Sequence, residues 1–109
     1  MRSHYCGQVN ESLIGREIGV AGWVHRRRDH GGVIFVDLRD RRGVTQIKLE
    51  PHDNATLAGQ LKHLKPESVI GITGRVVRRP AGTDNKSLPT GEVEVVASSL
   101  EIHNISETP

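Results

Sequence analysis

A two-residue alternation of apolar side chains in residues 33–39 constrains the fold of this chain more than any other feature. Ile34, Val36 and Leu38 fall on one face of an extended strand, and the residues between them fall on the other. Paired glycines supply the positive φ that a tight turn requires, and Gly31-Gly32 directly precede this strand. We therefore expect a strand that begins at a hairpin and buries one face in a core.

Four further segments have strand character. The five predicted strands comprise residues 17–28, 33–39, 44–49, 68–79 and 91–97, the last continuing to residue 102 past a kink at Ser98-Ser99. Short turns that contain Gly and Asp join the first three strands, which indicates an antiparallel meander. A segment rich in Pro, Gly, Asn and Asp, residues 80–90, is expected to form a loop before the last strand.

One helical pattern interrupts the strands. Within residues 54–65 three leucines recur at helical spacing, namely Leu57, Leu61 and Leu64. Asp53 or Asn54 can cap the start, and Pro66 ends the helix. Five strands with one helix between strands 3 and 4 are the element order of the OB-fold, a Greek-key barrel. We predict an all-β OB-fold domain in residues 1–103 and the start of a linker in residues 104–109; an SH3-like barrel and an unrelated α+β domain are the alternatives.

Composition and motifs argue against catalysis, metal binding and membrane insertion. The 109 residues suffice for one domain, and the net charge of +2 does not by itself indicate a nucleic-acid ligand. The six histidines are dispersed, and the single cysteine, Cys6, can form neither an internal disulfide nor a CxxC zinc site. No apolar stretch approaches the ~20 residues of a transmembrane helix. We expect a cytoplasmic protein with no catalytic residue, no metal and no cofactor in this domain.

Side chains at outward strand positions point to binding instead. Phe35 has outward parity, which suits stacking of an unpaired base; cover by the N-terminal segment or by a loop is the alternative. Gln46 can read a base edge, and Glu94 can accept from a cytosine amino group. Arg26 and Arg28 can hold phosphates or stack on bases. Each polar position could singly be a solvated strand position, but most of them gather on the usual nucleic-acid face of an OB-fold.

The sequence around the first hairpin resembles a known family. Residues 22–41, GWVHRRRDHGGVIFVDLRDR, closely resemble the N-terminal domain of bacterial aspartyl-tRNA synthetases. Tyr5-Cys6-Gly7 and residues 89–95, PTGEVEV, fit the same family, so the resemblance covers essentially the whole chain. The GWV-x-RRRD and F-x-D-x-RD pieces are specific for the aspartyl branch of the class II synthetases.

The resemblance implies a site for the tRNA anticodon on this barrel. By resemblance, Phe35 stacks on the central anticodon uracil, Gln46 hydrogen-bonds that base, and Glu94 lies at the third base. Arg26 and Arg28 contact bases and phosphates, and two residues in and after the fourth strand support the anticodon loop. The full predicted set is Arg26, Arg28, His30, Phe35, Gln46, Arg79, Asn85 and Glu94.

His30 enters this set on its own chemistry. A neutral imidazole can donate or accept a hydrogen bond, so His30 could relax a preference for cytosine over uracil at the third base. The alternative is a polar turn residue without a role in recognition.

The resemblance also implies the partners of the domain. The RNA partner is tRNA(Asp) and, in family members of the non-discriminating type, also tRNA(Asn). A catalytic domain that binds ATP, Mg and aspartate would begin shortly after Pro109, so this chain alone would not be an enzyme, whereas its parent would be an aspartate–tRNA ligase. The isolated domain would be a monomer and the full-length parent a homodimer. A general single-strand-binding OB module and an engineered or reconstructed OB scaffold are the alternative functions.

Overall fold

A closed five-stranded barrel makes up most of the computed structural model, which describes residues 3–51, 54–61, 64–66 and 68–104. Its elements are β1 Glu17–His30, β2 Val33–Asp40, β3 Gly43–Leu49, α1 Ala55–Leu61, β4 Val69–Arg78 and β5 Val93–Asn104. Around the barrel the strands follow the order β1-β2-β3-β5-β4, and β3 and β5 are the parallel pair. The predicted OB-fold, with its helix between β3 and β4, is confirmed.

The β1–β2 hairpin follows the apolar alternation. Ile34, Val36 and Leu38 are buried, and the side chains between them face outward. Gly31 and Gly32 form the turn with φ of 58° and 89°, values that residues other than glycine rarely adopt. β1 reaches His30, two residues past its predicted end, because the glycine pair alone makes the turn.

A β-bulge in β1 changes which face its side chains occupy. In a regular strand Val24, Arg26 and Arg28 would share one face. The register shifts between Val24 and Arg26, so Val24 pairs with Leu38 in the core while Arg26 pairs with Asp37 on the outer face. Bulges commonly re-aim side chains in this way. The bulge therefore places the two arginines outside the barrel.

The helix closes one end of the barrel. Leu57 and Leu64 are buried in the core, and the Gln60 side-chain amide donates to the Leu100 carbonyl at 2.7 Å. The Leu57 N–H donates to the Asn54 side chain at 3.0 Å, which confirms Asn54 as the cap. The helix ends at Leu61, earlier than predicted. The linker was predicted to begin at residue 104, but Asn104 still belongs to β5 and pairs with Val69. The predictions for Asp53, for the Leu61 side chain and for the rest of the linker, residues 105–109, lie outside the described part of the structure.

The N-terminal segment packs at the opposite end of β2 from Phe35. The carboxylate of Asp40 accepts from the Cys6 N–H at 2.8 Å and from the Arg42 N–H at 2.7 Å. The Arg42 guanidinium carbon lies 4.9 Å from the centre of the Tyr5 ring. Because these contacts tie the segment to the β2–β3 turn, it does not account for the burial of Phe35.

Candidate nucleic-acid interface

A cavity of about 590 Å³ opens on the outer face of the barrel between the strands and the loop of residues 80–92. Its lining comprises Arg28, His30, Phe35, Gln46, Lys48, Arg79, Pro80, Thr83, Asp84, Asn85, Lys86 and Glu94. Seven of the eight predicted binding residues are in this lining. Arg26 is the exception: it is exposed on the same outer face, two residue pairs further from the hairpin turn than Arg28.

A connected row of polar side chains crosses the floor of the cavity. The Arg28 guanidinium donates to Asp37 Oδ1 at 2.8 Å and to Gln46 Oε1 at 3.1 Å. Gln46 Nε2 donates in turn to Glu94 Oε1 at 2.8 Å. Because its oxygen accepts from a cation and its nitrogen donates to a carboxylate, the amide of Gln46 has one favoured orientation. The strands thus hold this amide in a defined orientation on the floor of the cavity.

Glu94 faces the cavity but is far less exposed than its outward parity suggests. Only 2% of Glu94 and 8% of Gln46 is accessible, so neither residue is the solvated strand position that was the alternative to a binding role. The loop after β4 folds back on itself just before β5, where the Asn85 N–H donates to the Gly91 carbonyl at 2.8 Å. A side chain at Gly91 would overlap the Asn85 carbonyl, so glycine permits this close approach.

Arg79 is a largely buried cation that interacts electrostatically with the Glu94 carboxylate. Its residue is 8% exposed, and its Nε donates to the Val93 carbonyl at 2.9 Å. Burial lowers the pKa of the Arg79 guanidinium, and the negative charges of Glu94, Asp37 and Asp84 oppose that shift. The arginine guanidinium is effectively always protonated at neutral pH in proteins. The cavity therefore contains a fixed positive charge that its own acidic residues partly offset.

Phe35 lies on the cavity face between two basic side chains. It pairs with Arg28 on β1 and with Lys48 on β3. The His30 ring meets it edge-on, with ring centres 5.8 Å apart and planes at 66°, and the Arg28 guanidinium carbon lies 6.0 Å from its centre. Phe35 is half-buried rather than fully exposed. The ring is therefore part of the cavity lining.

The loop of residues 80–92 is braced by its own polar groups. Asn85 Oδ1 accepts from the Ser87 N–H at 3.1 Å and from the Ser87 hydroxyl at 2.6 Å. The Thr83 hydroxyl donates to the Pro80 carbonyl at 2.6 Å. The buried hydroxyl of Thr90 donates to the Val44 carbonyl at 2.5 Å and ties the end of the loop to β3. Asn85 therefore shapes the loop as well as lining the cavity.

Sequence reasoning missed five residues of the lining: Lys48, Pro80, Thr83, Asp84 and Lys86. Lys48 carried a usable signal, because it shares the outward parity of Gln46 on β3 and is the cross-strand partner of Phe35. The loop residues carried none, since nothing local to residues 80–86 indicates that the loop turns toward the strands.

The described part of the chain contains neither a metal-binding cluster nor a membrane-spanning helix. No group of three or more His, Cys, Asp or Glu among them is arranged to bind a metal ion. Within the same part of the chain, none of the helices has the length and apolar character that crossing a bilayer requires.

A closed five-stranded barrel with an aromatic ring, an oriented amide and cations around one outer cavity is the architecture of an OB-fold that binds single-stranded nucleic acid. Residues 18–102 match the tRNA anticodon family, described as an OB-fold nucleic acid binding domain, and the chain belongs to that family.

The proteins that this chain is similar to include a tRNA ligase and a tRNA synthetase. The chain is 70% identical over 108 residues to an aspartate–tRNA(Asp/Asn) ligase of Opitutus terrae, a match that covers 99% of this chain and 18% of that protein. It thus spans under a fifth of the relative's length. The structure is similar to the crystal structure of asparaginyl-tRNA synthetase from Pyrococcus horikoshii (TM-score 0.78, 30% identity, 100% of this chain and 25% of that one). It is also similar to an OBody bound to hen egg-white lysozyme (TM-score 0.82, 27% identity, 97% and 98% coverage).

Proposed function

We propose that this domain binds the anticodon loop of tRNA(Asp), and also that of tRNA(Asn), as the N-terminal module of an aspartate–tRNA ligase. The observation that carries the proposal is the convergence of Arg28, Phe35, Gln46 and Glu94 on one cavity, with the amide of Gln46 already oriented. The 70% identity to a ligase named for both tRNAs supports the choice of RNA.

The proposed recognition begins with an unpaired base that enters the cavity and stacks on Phe35. A primary amide has two N–H donors and two acceptor lone pairs, and Gln46 uses one of each on Glu94 and Arg28. One donor and one acceptor remain, and they match the N3–H and O4 of a uracil. The central anticodon base would therefore be read by an amide whose orientation the protein has already determined.

The third anticodon base would be read by Glu94 on β5 and His30 at the end of β1, which both line the cavity. Cytosine offers an amino donor there and uracil offers a carbonyl acceptor. A carboxylate favours the donor, whereas a neutral imidazole can serve either base according to its tautomer. This pairing of groups would let one domain accept both tRNAs.

Catalysis would lie elsewhere in the longer protein. The chemistry of aspartate, ATP and Mg would belong to a catalytic domain outside this chain, as would the contacts that make the parent a homodimer. The domain alone would be a monomer that positions tRNA.

The test is a titration of the domain with fluorescently labelled anticodon stem-loops at one fixed salt concentration. Stem-loops with the Asp and the Asn anticodon should both bind more tightly than one of the same stem with a scrambled loop. Equal affinity for the scrambled loop would refute anticodon recognition, and preference for the Asp anticodon alone would refute the dual specificity. An unstructured oligonucleotide that bound as tightly as either stem-loop would favour a general single-strand-binding role.

A further inference from the structure

Four cations among the described residues line the cavity, and they fall into two kinds. Arg28 and Arg79 are engaged by the protein itself, the first by Asp37 and Gln46 and the second by the Val93 carbonyl and the field of nearby carboxylates. Lys48 and Lys86 form no ion pair within the described residues. Their charges are therefore available to a ligand.

The two lysines come from different walls of the cavity. Lys48 is half-buried on β3, directly beside Phe35 in the strand register. Lys86 is exposed in the loop after β4, next to Asn85. A single strand whose base stacked on Phe35 would have its sugar-phosphate backbone at the mouth of the cavity, within the reach of both long and flexible side chains.

We propose that Lys48 and Lys86 form a phosphate subsite that holds a phosphodiester linkage adjoining the base stacked on Phe35. The inference rests on the proposed function and extends it, since it assigns the backbone contact to two residues outside the predicted set. In this arrangement the arginines shape and orient the recognition groups, whereas the lysines neutralise the RNA backbone. Phosphate contacts position a nucleic acid and carry no base preference.

The experiment measures how the logarithm of the association constant changes with the logarithm of the salt concentration. A contact that neutralises one phosphate of a single strand contributes about 0.7 to this slope, because it releases condensed counterions. Lys48→Met and Lys86→Met should each reduce the slope by about 0.7, and the double variant should reduce it by about 1.4. Over a fourfold rise in salt, each variant then loses about two- to threefold less affinity than wild type.

Matched variants separate a local contact from a general charge effect. Lys65→Met removes an exposed lysine that does not line the cavity and should leave the slope unchanged. Lys48→Arg keeps the charge and should keep the slope, while thermal unfolding checks that both position-48 variants are folded. Equal slope losses in the Lys48 and Lys65 variants, or no loss in either cavity variant, would overturn the phosphate subsite.

A second probe tests the linkage directly and separates the subsite from the proposed function. Replacing the phosphodiesters that flank the central uridine by uncharged methylphosphonates should remove the difference in slope between wild type and Lys48→Met. A persistent difference would overturn the assignment to this linkage. If the slopes change as expected but a scrambled loop binds equally well, the phosphate subsite stands and anticodon recognition fails. If the anticodon preference is intact and the slopes do not change, anticodon recognition stands and the phosphate subsite fails.

Discussion

Replacing Phe35 by alanine is the sharpest test of the binding face. The ring is half-buried on β2 and contacts His30 and Arg28 within the cavity. Truncating a fully buried Phe costs about 3–5 kcal/mol of unfolding free energy, so a half-buried ring should cost about 2 kcal/mol. That loss lies within the 5–15 kcal/mol that native domains typically have, and the variant should remain folded.

Binding of the anticodon stem-loop should weaken in the same variant. Stacking on an aromatic side chain contributes about 1–3 kcal/mol per base, which corresponds to a loss of about 5- to 150-fold in affinity. Fluorescence anisotropy with a labelled stem-loop measures the affinity, and urea unfolding measures the stability of the same preparation.

Trp23→Ala is the matched control for this substitution. Trp23 is 37% exposed on β1, where it pairs with Val69 and Arg39, and it does not line the cavity. Its removal should leave RNA affinity unchanged. The reasoning is wrong if Phe35→Ala loses the stability expected of a core residue, or if a folded Phe35→Ala domain binds RNA as tightly as Trp23→Ala.

Three further predictions concern Glu94, His30 and Gly91. Glu94→Ala should lower the free energy of unfolding in urea by about 1–3 kcal/mol, because it leaves the buried amide nitrogen of Gln46 without its acceptor. Glu94→Gln keeps an acceptor and should lower it less. Equal losses in the two variants would contradict this account. His30→Leu should raise the preference for a stem-loop ending its anticodon in C over one ending in U, and an unchanged preference would exclude His30 from discrimination. Gly91→Ala should lower the melting temperature, because its Cβ would overlap the carbonyl of Asn85 in the loop. Gly59→Ala is the control: it lies on the open face of α1 and should raise the free energy of unfolding by about 0.5–1 kcal/mol. Similar responses at the two sites would refute the close approach of the loop.

Local pattern was sufficient to predict the barrel. The alternation in β2, the glycine pair at its start, the Asn54 cap and the kink near Ser98 all reflect preferences that act over a few residues. The element order that follows from them is confirmed. The end of α1 was predicted less well, because residues 64 and 65, which the leucine pattern includes, lie outside the helix.

The residue types of the site were also predictable, since seven of the eight predicted side chains line one cavity. Strand parity and the family resemblance placed Phe35 and Gln46 on the outer face, and the structure agrees. Which RNA they bind is a separate question that the titrations address.

Tertiary structure decided how those side chains are arranged. Uninterrupted alternation would put Arg28 on the same face as Val24, and only the bulge, stabilised by pairing with β2, turns it outward. Glu94 has outward parity, yet it is buried and accepts a hydrogen bond from Gln46 on β3, and the loop after β4 brings Lys86 to the same cavity. These outcomes depend on contacts between residues that are distant in sequence, and no periodicity within a single strand encodes such contacts.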